Sequence, residues 1–138
     1  MKSVKIIIWM LCAVFMLVSC ENSANAPESE AEVRQQYVNI TAEEAKEIMD
    51  NESGYVILDV RTEEEFAAGH IPGAILIPDY EISERAESVL TDKDQTILVY
   101  CRSGRRSKLA AEKLLKLGYT DIREFGGIID WKYETVKP

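Results

Sequence analysis

Two runs of the sequence, residues 55–60 (YVILDV) and 96–100 (TILVY), are apolar almost without interruption and have strand length. A strand that keeps one face in water alternates apolar and polar residues. One without that alternation is covered on both sides, as inside a parallel sheet layered between helices. The signals around the two runs fit this architecture. Residues 37–40 read as a short strand, and Thr41 with Glu44 three positions on is a capping box that opens a helix ending near Asp50, before a turn at 51–54. A second box, Thr62 with Glu65, opens a short helix that Gly69 stops. Residues 74–77 are a strand fenced by Pro72 and Pro78, 81–90 a helix, and 107–117 an amphipathic helix closed by Gly118. A last strand at 121–125, a sharp turn at Gly126-Gly127 and a terminal helix at 128–134 complete the order. Strands alternating with helices predict an α/β domain with a central, mostly parallel sheet flanked by helices on both faces. In such sheets ligands bind outside the carboxyl ends of the strands.

Residues 1–19 stand apart from this pattern. Lys2 and Lys5 form a basic start, residues 6–18 are almost wholly apolar, and small residues follow, which is the order of a secretory signal. The run is too short to span a bilayer comfortably, since a spanning helix needs roughly 20 such residues. Leu17-Val18-Ser19-Cys20 resembles the lipobox of bacterial lipoproteins, and that resemblance implies cleavage before Cys20, a lipid-bearing Cys20 with several acyl chains such as palmitate, and an exported protein held to a membrane by lipid alone. An ordinary signal peptide or an uncleaved anchor, with an incidental cysteine, is the plainer alternative. Residues 20–36 then form a lipidated cysteine and a polar, disordered tether with a reach on the order of 20 Å, and 37–138 the folded domain.

Cleavage removes Cys12 and lipidation consumes Cys20, so Cys101 is left as the one free thiol, an odd cysteine that calls for a reason. Loss of Lys2 and Lys5 leaves 14 basic against 24 acidic residues, a balance that excludes nucleic acid as partner. Against that background Arg102, Arg105, Arg106 and Lys108 crowd into one segment, a local positive field suited to a small anion.

The segment Cys101-Arg102-Ser103-Gly104-Arg105-Arg106-Ser107 joins a buried strand to a helix start, so several backbone N–H groups converge on one point. The helix dipole, those amides and the guanidiniums favour the thiolate, which is the nucleophilic form, and the pKa of Cys101 is expected well below that of a free thiol. The same donors suit an oxyanion such as a thiosulfonate or a phosphate.

This segment resembles the CxxGxRS active-site loop of rhodanese-like domains. Leu58-Asp59-Val60-Arg61 with Glu65-Phe66 is similar to that family's DVR and E-[FY] pattern, Gly69-His70-Ile71-Pro72-Gly73-Ala74 to its GHIPGA motif, and Gly126-Gly127 with Trp131 to its closing GG…W. One departure is Leu76, where many members carry Asn. The resemblance spans about residues 40–134 and implies a rhodanese-like fold with Cys101 as catalytic nucleophile. Arg102, Ser103, Gly104, Arg105, Arg106 and Ser107 would bind substrate, with Asp59 and Arg61 supporting the loop. It further implies sulfur transfer from thiosulfate or a related donor to a thiol or cyanide through a cysteine persulfide, by a monomer with no metal or organic cofactor. Four residues, Arg102 to Arg105, separate Cys101 from Arg106. The related cell-cycle phosphatases and arsenate reductases have one residue more, so the tighter cradle favours sulfur over a tetrahedral phosphoryl centre. A binding or sensing module without turnover is the other alternative, and the presence of the cysteine argues against it.

Simpler roles are expected elsewhere. The lone His70 reads as structural, Phe66 and Trp131 as core, and Asp59 as ion-paired to a cation such as Arg106, because a buried carboxylate seeks one.

Overall fold

In a computed structural model of the protein, which describes residues 36–138, the two apolar runs lie side by side within a five-stranded sheet. Residues 1–35, with the expected leader, Cys20 and nearly all of the tether, fall outside the described residues. The strands are β1 (Val38–Asn39), β2 (Val56–Asp59), β3 (Ile75–Leu76), β4 (Ile97–Cys101) and β5 (Ile122–Gly127). Their order is β1-β5-β4-β2-β3 and every pairing is parallel. The helices are α1 (Ala42–Asn51), α2 (Glu63–Ala68), α3 (Ile82–Val89) and α4 (Arg105–Lys116), followed by a 3-10 turn at Ile128–Asp130.

Side-chain alternation along the central strands divides the core between two faces. Leu58, Val60, Ile97, Val99 and Ile122 pack with Ile82 and Ala86 of α3 and Ala110, Ala111 and Leu114 of α4. Ile57, Leu98, Tyr100 and Phe125 pack on the other side with Ala42 and Ala45 of α1 and with Trp131. Both faces of the sheet are therefore covered, as the unbroken apolar runs require. Both capping boxes form: the hydroxyls of Thr41 and Thr62 accept the amides of Glu44 and Glu65, whose side chains accept the threonine amides in return. Each such cap stabilises its helix by about 1 kcal/mol.

The structure differs from the sequence reading near the site. Helix α4 begins at Arg105 rather than residue 107, because Gly104 adopts a left-handed conformation (φ 98°) and serves as its N-cap. Gly126-Gly127 is no turn but the end of β5. Val99 pairs with Glu124 while Cys101 pairs with Gly127, so β5 carries an extra residue there, and Gly126 takes it up with φ 86°. The expected terminal helix is a single 3-10 turn, after which Val136 exchanges both backbone hydrogen bonds with His70 at 2.9 and 2.8 Å. A helix of two turns at most is costly to nucleate, and this pairing with a distant loop replaces it.

Candidate active site

Strand β4 is buried along its whole length and delivers Cys101, 1 % exposed, to the carboxyl edge of the sheet. The chain then reverses through Arg102–Gly104 into α4. This bend aims amides at the sulfur: the Gly104 N–H donates to Cys101 Sγ at 3.0 Å, and the Ser107 hydroxyl lies 3.4 Å from it. The outer wall of the bend is held by β5 and the turn after it. The Ile129 amide donates to the Arg102 carbonyl at 3.3 Å, and Gly127 passes so close that a Cβ there would sit 2.0 Å from that carbonyl oxygen.

The Cys101 thiol is shifted to lower pKa. Burial pushes it up, and is outweighed by the Ser107 hydroxyl and then by the amides of Ser107, Gly104 and Ser103, all of which stabilise the thiolate. Hydrogen-bond donors from the helix start thus do what the sequence reading divided between amides and guanidiniums. Arg102, Ser103 and Arg105 are exposed, and neither arginine enters an ion pair among the described residues. Both therefore stand at the rim of the cradle with their donors uncommitted.

Arg106 is placed differently from the sequence expectation. Its guanidinium is committed to Glu65 of α2 through two parallel bonds of 2.8 Å, a fork that ties the first turn of α4 to α2. Its pKa is raised first by that carboxylate, against burial, and the charge of Cys101 contributes further. Arg106 is thus near enough to feel the sulfur while one face of its guanidinium is held by Glu65.

Asp59 does not pair with Arg106 as expected. Arg61 meets it with Nε 3.0 Å from both carboxylate oxygens and a terminal nitrogen 2.6 Å from Oδ2, while the Tyr100 hydroxyl donates to Oδ2 at 2.6 Å. The reason is register: Asp59 stands opposite Tyr100 on the sheet face away from Cys101, whereas Arg106 belongs to the helix on the other face. Arg61 also donates to the Gly69 carbonyl at 2.8 Å and Tyr100 accepts the Ile71 amide at 3.1 Å, so this group braces the 69–71 loop rather than the cysteine loop. Burial, and then Asp59, push the Tyr100 phenol up, so it stays a donor. His70 is in the same loop, stacked on Phe66 at 3.6 Å and with Nδ1 3.0 Å from the Phe66 carbonyl. Phe66 is half-buried and packs on the buried His70 ring, outside both core clusters, and Trp131 is buried.

One residue of the site escaped the sequence reading. Glu124, 2 % exposed, lies under the loop with Oε1 accepting the Ser107 hydroxyl at 2.6 Å and the Gly126 amide at 2.8 Å. The available signal was parity: in β5 it shares the inward face with Ile122, where a charge is out of place. Among the described residues no group of three His, Cys, Asp or Glu side chains is arranged to ligate a metal ion.

The family profile described as rhodanese-like domain matches residues 41–134. A thiosulfate sulfurtransferase of Escherichia coli, PspE, is 41% identical over 80 residues, which cover 58% of this chain and 77% of that protein. A putative sulfur carrier protein of Bacillus subtilis, YrkF, is 36% identical over 118 residues, 85% of this chain but only 57% of that protein. Among solved structures, a rhodanese with anions from Escherichia coli superposes with a TM-score of 0.58 at 39% identity, covering 61% of this chain and 99% of that one.

Proposed function

This chain belongs to the rhodanese-like domain family, and from that premise we propose that it is a sulfurtransferase that carries a sulfane sulfur from thiosulfate or a related donor to a thiol or cyanide as a persulfide on Cys101. The observation that carries the proposal is the Cys101 sulfur at the carboxyl edge of β4, facing the Gly104 amide at 3.0 Å in a loop whose donors lower the pKa of its thiol. The Cys101 thiolate attacks the outer sulfur of thiosulfate. The S–S bond of the donor breaks, and sulfite leaves with the bonding pair. The charge then rests on the outer sulfur of the persulfide. An acceptor thiolate or cyanide attacks that sulfur, and Cys101 departs as the thiolate it was. Loop amides aimed at the sulfur, with Arg102 and Arg105 at the rim, supply donors where charge develops, without reorganisation during the reaction.

The test is the intact mass of the protein after exposure to thiosulfate. One added sulfur on the peptide that bears Cys101, removed by cyanide with release of thiocyanate and absent in Cys101→Ser, is the expected result. A sulfur adduct that no acceptor discharges points to a binding module, and hydrolysis of aryl phosphates lost in Cys101→Ser points to a phosphatase; either overturns the proposal.

We further propose that the chain is an exported lipoprotein anchored at Cys20, on the support of Lys2, Lys5, the apolar run that follows and Leu17-Val18-Ser19-Cys20. The protein should fractionate with membranes and Cys20→Ser should prevent it. Wild-type protein found soluble with residues 1–19 still attached counts against the anchor.

A further inference from the structure

Cys101 is 1 % exposed, so a sulfur carried there is reached only by an acceptor atom that enters the mouth of the loop. When the acceptor thiol belongs to a protein, the residues beside that thiol come to rest on the rim. Of the six arginines among the described residues, Arg61, Arg85, Arg106 and Arg123 are ion-paired. Arg102 and Arg105 are not, and Lys108 has no carboxylate partner among the described residues either. In a chain of net charge −8, acids are plentiful, yet these three cations are left without one.

Apolar surface accompanies them. Arg105, Lys108 and Leu109 stand at i, i+3 and i+4 of α4 and share one stripe of that helix. All three are exposed, Leu109 to 45 %. Across the loop Ile129, 63 % exposed, is fastened beside Arg102, whose carbonyl its amide reaches at 3.3 Å. Two large aliphatic side chains therefore flank three cations at the mouth that leads to the nucleophile. The side towards β2 has the opposite charge, because α2 presents Glu63 and Glu64, both exposed, just beyond the end of that strand. Single exposed carboxylates, Asp130 after Ile129 and Glu112 one turn beyond Lys108, border the strip. An anionic partner is drawn over α4 and the end of β5 and kept off α2.

We propose that Arg102, Arg105, Lys108, Leu109 and Ile129 form the docking surface for a protein acceptor whose thiol lies among acidic residues with an apolar side chain beside it. Coulombic attraction brings the acidic segment to the strip, and contact of its apolar side chain with Leu109 and Ile129 holds it there. The acceptor thiol, its proton lost to solvent, attacks the outer sulfur of the Cys101 persulfide. The S–S bond breaks, its electron pair stays on Cys101, and the acceptor leaves as a persulfide. Cyanide or a small thiol uses none of this surface. The inference rests on the persulfide reading and adds to it the class of acceptor.

Two short peptides test it, one with a thiol between aspartates and next to a leucine, the other with lysines in place of the aspartates. Labelled versions with serine for the thiol report docking on the unloaded full chain by fluorescence polarisation. The acidic peptide should bind about tenfold more tightly at low salt. That advantage should vanish near about 0.5 M salt. Leu109→Ser and Ile129→Ser should each weaken it about threefold. On the thiosulfate-loaded chain, sulfur should appear on the acidic thiol peptide faster than on the lysine one, and Leu109→Ser should slow that transfer while releasing thiocyanate from cyanide at the wild-type rate. A lysine peptide that binds as tightly as the acidic one, or an acidic peptide that both variants bind as wild type does, overturns the proposal. So does a Leu109→Ser variant that loses discharge to cyanide and to peptide alike. If Ile129→Ser does not fold, Leu109→Ser decides. Polarisation needs no sulfur donor, so docking is judged even where no thiosulfate adduct forms, an outcome that counts against the persulfide reading instead.

Discussion

At position 127 a side chain has nowhere to go. The Cβ of an alanine would lie 2.0 Å from the Arg102 carbonyl oxygen and 2.6 Å from the Ser103 Cα, both backbone atoms that move only if the cysteine loop moves. Gly104, by contrast, has ordinary van der Waals space, and its constraint is the left-handed φ of 98° that lets α4 start where it does. Overpacking of this kind costs about 1–3 kcal/mol. Gly127→Ala should lower the urea midpoint by that amount. It should depress thiosulfate turnover further than the loss of folded protein explains, because the displaced atoms are those that aim amides at Cys101. Turnover that merely follows the folded fraction would mean the loop is indifferent to Gly127.

The element that depends most on its neighbours is α2. It has six residues and none is buried, too short a helix to persist alone. The Thr62–Glu65 box starts it and the Arg106 fork anchors it, with Glu65 serving both. Arg106 holds the Glu65 carboxyl down to about 2, against burial and with help from Thr62. A carboxylate with a lowered pKa stabilises the fold at any pH above its ordinary value, and that stabilisation fades as acid drives the pH below about 4.5 towards 2. At a partly exposed site its worth is on the order of 1 kcal/mol. Glu65→Gln should therefore be less stable than wild type at neutral pH, and the two should converge near pH 2 when urea midpoints are compared across pH. A gap independent of pH would show that the loss is of shape rather than of charge.

Across the whole molecule, the sheet places the reactive sulfur on one face and a structural clamp on the other. Tyr100 and Cys101 are consecutive, yet Tyr100 packs with Asp59, Arg61 and the 69–71 loop, away from the sulfur. Tyr100→Phe leaves the Ile71 amide without its acceptor and Asp59 short of a donor, a cost of about 1–3 kcal/mol. Melting should fall accordingly while the Cys101 alkylation profile holds; a displaced profile would mean the two faces communicate. The alternation of strands and helices, both capping boxes and Cys101 at a strand end were legible in the sequence. Those signals are local, written in side-chain period and in bonds that span three or four residues. The partners of the charged groups were not legible. Arg106 meets Glu65 across 41 positions, Asp59 chooses Arg61 over Arg106, and Glu124 turns inward to Ser107. The Ile128–Asp130 turn gives way to pairing of Val136 with His70. Such choices depend on which strand ends lie side by side and which face each side chain takes, and only the packed sheet order β1-β5-β4-β2-β3 decides them, because it brings distant residues within hydrogen-bond reach.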